Sequence, residues 1–253
     1  MIEQEEVTEL KQWLNTEIGQ YARRWEAGQI RQLLSNVFGY HAIQIGMPHW
    51  DLLRENRISH KWYTHTMIEA TAAGTSLVVC EPEHLPFANE SIDLLVLPHV
   101  LETSSDPHQV LREVQRVLVP EGQVVISGFN PWSLWGARER LPGLESLLPI
   151  EPHCQLSPWR LIDWLELLSF ELNAELFGCY SPLLLQKKWL DRWSFMDRQG
   201  EKWWPFLGAV YVLKATKRVN SITMVGLDWS KKPRGRAQAA VVTGRNMKKQ
   251  AKK

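Results

Sequence analysis

The chain is poor in the residues that would staple it, anchor it or give it a metal centre. Only 3 of its 253 residues are cysteine, at positions 80, 154 and 179, an odd number at wide spacing. That pattern excludes a disulfide framework and a thiolate metal motif, and it suits a reducing compartment. No apolar run approaches the roughly 18 residues that a membrane-spanning helix requires. The acidic opening Met1-Ile2-Glu3-Gln4-Glu5-Glu6 is no secretory leader. A soluble, cytoplasmic protein is expected. Acidic residues are missing altogether from residues 231–253, which hold nine Lys or Arg. The net charge of +1 therefore conceals a body with 20 basic and 28 acidic residues, about −8. With no apolar periodicity between its two basic clusters, 231–253 reads as a disordered basic tail. It is either a solubilising tail or a site for an anionic partner, nucleic acid or ribosome first and anionic lipid second. It carries no aromatic residue on which a base could stack.

Tryptophan is the residue in excess: there are 13, of which nine lie beyond residue 130. They fill a core between an insertion and a sheet, line a pocket for an apolar or planar substrate or, if exposed, mark a partner surface.

Residues 92–126 carry the strongest pattern. Ile92, Leu94, Leu95, Val96 and Leu97 form a nearly continuous apolar run, as do Val124, Val125 and Ile126. Continuous apolarity rather than alternation suits strands covered by helices on both faces. Pro98 removes a backbone donor and should end the first strand. Between them Asp106 can cap a helix with Pro107 in its first position. Val110, Leu111, Val114, Val117 and Leu118 then recur at i, i+3, i+4, i+7 and i+8 as one apolar stripe. Pro120-Glu121-Gly122 turns the chain back to the sheet. This is a right-handed, parallel βαβ crossover. Around it, residues 3–38 read as two helices, with strands at 42–45, 61–64 and 77–80 and a short helix from about Trp50. Asn130-Pro131 and Ser157-Pro158 read as helix starts. The segments 170–177 and 209–215 read as an antiparallel pair, separated by an insertion.

These residues resemble the class I S-adenosylmethionine-dependent methyltransferases, in particular the type 11 group. Glu81-Pro82-Glu83-His84-Leu85-Pro86-Phe87 resembles that group's Asp-Ala-Glu-x-Leu-Pro-Phe. Ser91-Ile92-Asp93 resembles Ser-Phe-Asp, and Leu101-Glu102, Asp106-Pro107, Leu111-Arg112-Glu113, Arg116-Val117-Leu118 and Pro120-x-Gly122 recur in register. The chain as a whole also resembles an uncharacterised methyltransferase-like family of gammaproteobacteria. The resemblance implies an α/β fold with a mostly parallel seven-stranded sheet and helices on both faces. The chain is thus expected to divide into an N-terminal helical segment (1–40), a methyltransferase-like domain (41–218, with an insertion at 181–208) and the tail at 231–253. Where the group carries Leu-Asp-x-Gly-x-Gly-x-Gly, this chain has Ile43-Gln44-Ile45-Gly46-Met47-Pro48-His49-Trp50. Gly46 remains, Pro48 and Trp50 replace two glycines, and Gln44 replaces the acid.

By the same resemblance S-adenosylmethionine is the expected cofactor, and its expected contacts are Gln44, Gly46, Glu81, Pro82, Leu97 and Pro98. Glu81 would take the adenine amino group and Gly46 the methionine part, with Leu97 and Pro98 under the sulfonium. Glu69 is a candidate acid for the ribose hydroxyls. His99, just beyond the fourth strand, is the candidate general base, against the alternative of a histidine capping that junction. No metal site is expected, since His60 and His65 fall on opposite faces of a strand. The expected activity is methyl transfer to an unidentified, small-molecule acceptor. Two alternatives stay open: an inactive methyltransferase-like binding protein that contacts RNA or ribosome through its tail, and a related fold with another nucleotide-like ligand.

Overall fold

The computed structural model describes residues 2–67, 76–141, 143, 146–181, 200 and 203–219. Two helices open the chain, α1 (Ile2–Trp13) and α2 (Glu17–Leu34). The Thr16 hydroxyl accepts the Gly19 amide at 3.2 Å and caps α2. Their corner is so tight that a Cβ on Gly19 would lie 2.1 Å from the Trp13 carbonyl oxygen, so glycine is required there. Strands β1 (His41–Ile45), β2 (His60–His65), β3 (Ser76–Val79) and β4 (Ile92–Pro98) follow. Helices α3 (Val100–Thr103) and α4 (Pro107–Val117) lead into β5 (Leu118–Phe129). Helices α5 (Leu134–Glu139) and α6 (Pro158–Leu167) precede β6 (Phe170–Gly178), and a 3-10 turn (Pro205–Leu207) precedes β7 (Val210–Lys217).

The strands form one seven-stranded sheet in the order β3-β2-β1-β4-β5-β7-β6. The first five are parallel, and β7 runs antiparallel to both β5 and β6. The expected crossover is present. Asp106 accepts the Gln109 amide at 3.0 Å with Pro107 in the first turn of α4. Val110, Leu111, Val114 and Val117 are all fully buried. Each contributes on the order of 1.5–3 kcal/mol by leaving water. Two apolar cores result, one on each face of the sheet: α1 and α2 cover one, α3, α4 and α6 the other. This is why residues 94–97 of β4 and 124–126 of β5 are continuously apolar rather than alternating.

Three local expectations need correction. No helix forms after β1; residues 46–59 make a turn-rich loop, because Gln44 ties the chain into that shape from within the sheet. The Pro120-Glu121-Gly122 turn lies inside β5, which already pairs with β4 at Leu118 and absorbs the bend with Glu121 at φ 64°. Asn130 caps no helix. Its amide nitrogen donates to the Phe206 and Gly208 carbonyls, both at 2.9 Å, tying the end of β5 to the segment before β7, and Ser133 is the cap of α5. Glu69, Trp189, Trp193 and the tail at 231–253 lie outside the described residues.

Candidate functional site

A cleft opens at the carboxyl edge of β1 to β4, where open α/β sheets bind ligands. Ile45, Gly46 and Met47 line it from β1, Thr64, His65 and Thr66 from β2, Cys80 and Pro82 from beyond β3, and Pro98, Val100 and Thr103 from the end of β4. Val7 and Leu10 of α1 close its remaining side. It is a narrow slot with about 410 Å³ of empty space, its open mouth included. Gly46 sits at φ 71°, and a Cβ there would come within 3.3 Å of Val100. The floor therefore depends on glycine in both conformation and space.

Gly46, Pro82 and Pro98 are thus brought together as the sequence suggested, whereas the other expected contacts are not. The Gln44 side chain is fully buried and faces the loop: its amide nitrogen donates to Met47 O (2.9 Å) and Trp50 O (2.8 Å), and its oxygen accepts the Leu52 amide (3.0 Å). Both of its donors are engaged, so it braces the loop instead of meeting a ligand. Leu97 is fully buried in the core under α4 and does not line the cleft. Glu81 stands on the rim with its side chain 70% exposed, its carboxylate 3.7 Å from His84. Pro48 and Trp50 do not line the cleft either. The Trp50 indole, 3% exposed, joins the core beneath α2 and has the Arg23 guanidinium 5.7 Å from its centre. The residues that replace two glycines of the type 11 pattern therefore leave the slot clear.

His99 lies between two cleft-lining residues, yet it is 1% exposed and turned away from them. It adopts a left-handed conformation, φ 54°, which drives its ring back under α2. Nδ1 donates to Glu102 at 2.8 Å and Nε2 to Glu26 of α2 at 3.2 Å. Both carboxylates are buried. Glu26 also accepts the Ser127 hydroxyl, and Glu102 accepts the Phe129 amide at 2.6 Å. Burial alone would push the imidazole down, but the Glu26 charge and hydrogen bonds to both carboxylates hold it up at about 10. Burial pushes the Glu102 carboxyl up, and burial with the Glu102 charge pushes the Tyr211 hydroxyl up. An imidazolium with both N–H groups engaged has no lone pair to accept a proton. As a general base His99 is therefore excluded, and it serves as the cationic centre of a dry cluster joining α2, α3, β4 and β5. The absence of a Cβ at Gly128 makes room for it, since one would lie 2.6 Å from Tyr211 Oη and 3.0 Å from Glu102 Oε1.

Thr64, His65 and Cys80 line the slot although the sequence reading placed none of them there. Their signal is positional, since they end β2 and follow β3 at the ligand-binding edge. The Met67 amide approaches His65 Nδ1 at 3.1 Å. Burial pushes the Cys80 thiol up, so it stays protonated near neutrality. No carboxylate is found among the described lining residues. The glycine floor and apolar walls are chemically suited to an adenosyl group, and Glu81 stands at the rim. Among the described residues no cluster of His, Cys, Asp or Glu could hold a metal ion, and no helix is long and apolar enough to cross a membrane.

A methyltransferase-domain model of the type 11 group matches residues 57–126. The Escherichia coli (strain K12) protein YafS, itself uncharacterized, is 33% identical over 243 residues, 94% of each chain. Among solved structures the fold resembles a chain of the complex between the Haloferax volcanii Trm112 methyltransferase activator and a methyltransferase. That match has a TM-score of 0.60 and 13% identity, over 87% of this chain and 99% of that one. It also resembles an S-adenosylmethionine-dependent methyltransferase of Thermotoga maritima, with a TM-score of 0.56 and 18% identity over 84% of this chain and 96% of that one. The full-length kinship with YafS shows that the chain belongs to the same family as that protein, and it carries a methyltransferase domain of the type 11 group on a class I methyltransferase-like fold.

Proposed function

We propose that this protein transfers the methyl group of S-adenosylmethionine to a small-molecule acceptor, with the cofactor in the slot between β1 and β4. The observation that carries this reading is the direction of Trp50, whose ring packs under α2 and leaves Gly46, Pro82 and Pro98 accessible to a ligand. In this reading the Gly46 backbone would meet the methionine part, Cys80 and Pro82 the adenine, Glu81 its amino group, and Pro98 and Val100 the region of the sulfonium. When bound, the cofactor supplies an electrophilic methyl carbon. The chain contributes orientation and exclusion of water, with Val7 and Leu10 of α1 closing one side of the slot. His99 holds no part of the proton transfer, so a proton lost by the acceptor leaves by another group.

A second reading, a binding protein without turnover that reaches RNA or ribosome through its basic tail, is favoured by one observation. Gln44 is engaged with its own loop, and the described slot residues offer no carboxylate to the ligand's ammonium. A thermal-shift titration with S-adenosylmethionine and S-adenosylhomocysteine separates the two. At 100 times its dissociation constant a ligand adds about 2.7 kcal/mol, about 5–10 °C in a chain of this size. Gly46→Val should abolish that rise. No rise at millimolar ligand in the wild type would leave the second reading standing.

A further inference from the structure

Among the described residues the exposed tryptophans, Trp132, Trp159, Trp203 and Trp204, collect at one edge of the sheet, whereas the exposed Phe38 and Tyr40 precede β1 at the other. Because β7 runs antiparallel to β5, its first residue Val210 lies beside Phe129, the last of β5, and beside Gly178, the last of β6. The segments after β5 and before β7 therefore share the carboxyl edge with the slot. Trp132 and Leu134 stand exposed after β5, and Trp203, Trp204 and Phe206 before β7. The exposed Trp159 joins them from the start of α6, its ring 6.5 Å from that of Phe206. Rings of this size in water are unfavourable unless a partner covers them, and such contiguous patches mark interaction sites.

Two cations stand beside the rings. Arg140 lies over the Trp132 ring at 5.4 Å, and the exposed Arg160 follows Trp159. Within residues 131–141 the one acid is Glu139, whose side chain is fully buried against Arg138. Segment 203–208 contains no acid, while on α6 the exposed Asp163 follows Trp159 by one turn. This edge contrasts with a body whose balance without residues 231–253 is about −8. The basic tail adds nine further cations to the chain.

We propose that this edge docks on the surface of a bilayer containing anionic lipids. Indole rings, apolar with one N–H, are favoured at the boundary between hydrocarbon and water. Arginine and lysine side chains gain on the order of 1 kcal/mol each near an anionic leaflet. The exposed Leu134 and Leu207 decide against single-stranded nucleic acid: an aliphatic side chain gives a base no face to stack on, whereas acyl chains receive it readily. The slot opens at the same edge, so a docked molecule presents it toward the membrane. Vesicle binding requires no cofactor, and this inference stands or falls apart from the methyl-transfer reading.

The test is sedimentation of the full chain with vesicles of phosphatidylcholine alone and of phosphatidylcholine mixed with phosphatidylglycerol. The wild type should co-sediment with the mixed vesicles, less so as salt is added, and weakly with the neutral ones. Replacing Trp159, Trp203 and Trp204 together by Ala should lower the partition coefficient roughly tenfold or more with the unfolding temperature nearly unchanged. Should that triple variant fold poorly, Trp132→Ala alone should still weaken binding severalfold. Absence of the wild type from both pellets would overturn the proposal, as would equal partition of wild type and folded variants, or equal binding to neutral and anionic vesicles. A single-stranded oligonucleotide bound through the same rings without vesicle binding would reassign the surface to nucleic acid. A dimer that dissociates in the variant, without vesicle binding, would reassign it to a second copy of this chain.

Discussion

Pro98, His99 and Val100 are consecutive, yet they belong to two regions with opposite physics. Pro98 and Val100 face a slot that is apolar, narrow and open at one end. His99 faces a dry cluster in which one imidazolium meets two buried carboxylates, a hydroxyl and a backbone amide. The slot is left with few fixed charges, as a site for a cationic ligand with its own counter-groups would be. In the cluster every charged group has a hydrogen-bond partner, because one buried without any would cost several kcal/mol at that depth. The comparison shows that a histidine at the ligand-binding edge of a sheet can be wholly structural. One residue of left-handed backbone separates the two outcomes.

Two substitutions test that division with the largest expected effects. Trp50→Gly, which restores the glycine of the type 11 pattern, should destabilise the fold by about 3–5 kcal/mol through the void left under α2. It should leave affinity for S-adenosylhomocysteine unchanged in the folded fraction. Tighter ligand binding after this change would show that the indole does obstruct the slot. His99→Ala removes the cation that faces both Glu26 and Glu102. Its expected cost is also about 3–5 kcal/mol, or about 6–20 °C in melting temperature. A loss below about 1 kcal/mol in denaturant unfolding would mean that the cluster is not the dry ion pair described.

The cluster should also betray itself through pH. The folded chain holds the His99 proton up to about 10, against 6.5 for an ordinary imidazole. The unfolded chain releases it first, so the stabilisation is complete below about pH 6.5 and drains away as pH climbs toward 10. The raised Glu102 carboxyl acts with the same sign at lower pH. The stability gap between wild type and His99→Gln should therefore narrow as pH rises across that window. A gap that widens would place the neutral imidazole in the folded state.

The fold was legible because its signals were redundant. In β4, α4 and β5 the apolar runs, the Asp106 cap and Pro107 all point to one crossover, and each is local. The site was only half legible, for a definite reason. Gly46 and Pro82 are recognisable because backbone freedom and motif register survive substitution nearby. The roles of Gln44, Trp50 and His99 depend on what a side chain finds once the chain is folded: Gln44 finds its own loop, Trp50 finds α2, and His99 finds Glu26, 73 positions away. No spacing rule links those residues. The expected helix after β1 failed for the same reason, since three hydrogen bonds from one buried amide outweigh a weak local propensity.

The smallest expected effect on stability sharpens the comparison most, because it concerns the slot alone. Glu81 projects from the rim, its carboxylate 3.7 Å from the similarly exposed His84. Glu81→Ala should therefore shift unfolding by no more than about 0.5 kcal/mol. A hydrogen bond from a ligand amino group to a carboxylate is worth about 1.5–3 kcal/mol, so calorimetric titration should find S-adenosylhomocysteine bound about tenfold or more weakly. Adenosine should lose the same factor, whereas methionine, which lacks the amino group of the purine, should lose nothing. That contrast assigns the carboxylate to the adenine end of the slot. An equal loss for all three ligands would mean that Glu81 acts by shaping the rim, and the adenine would then have to lie elsewhere in the slot.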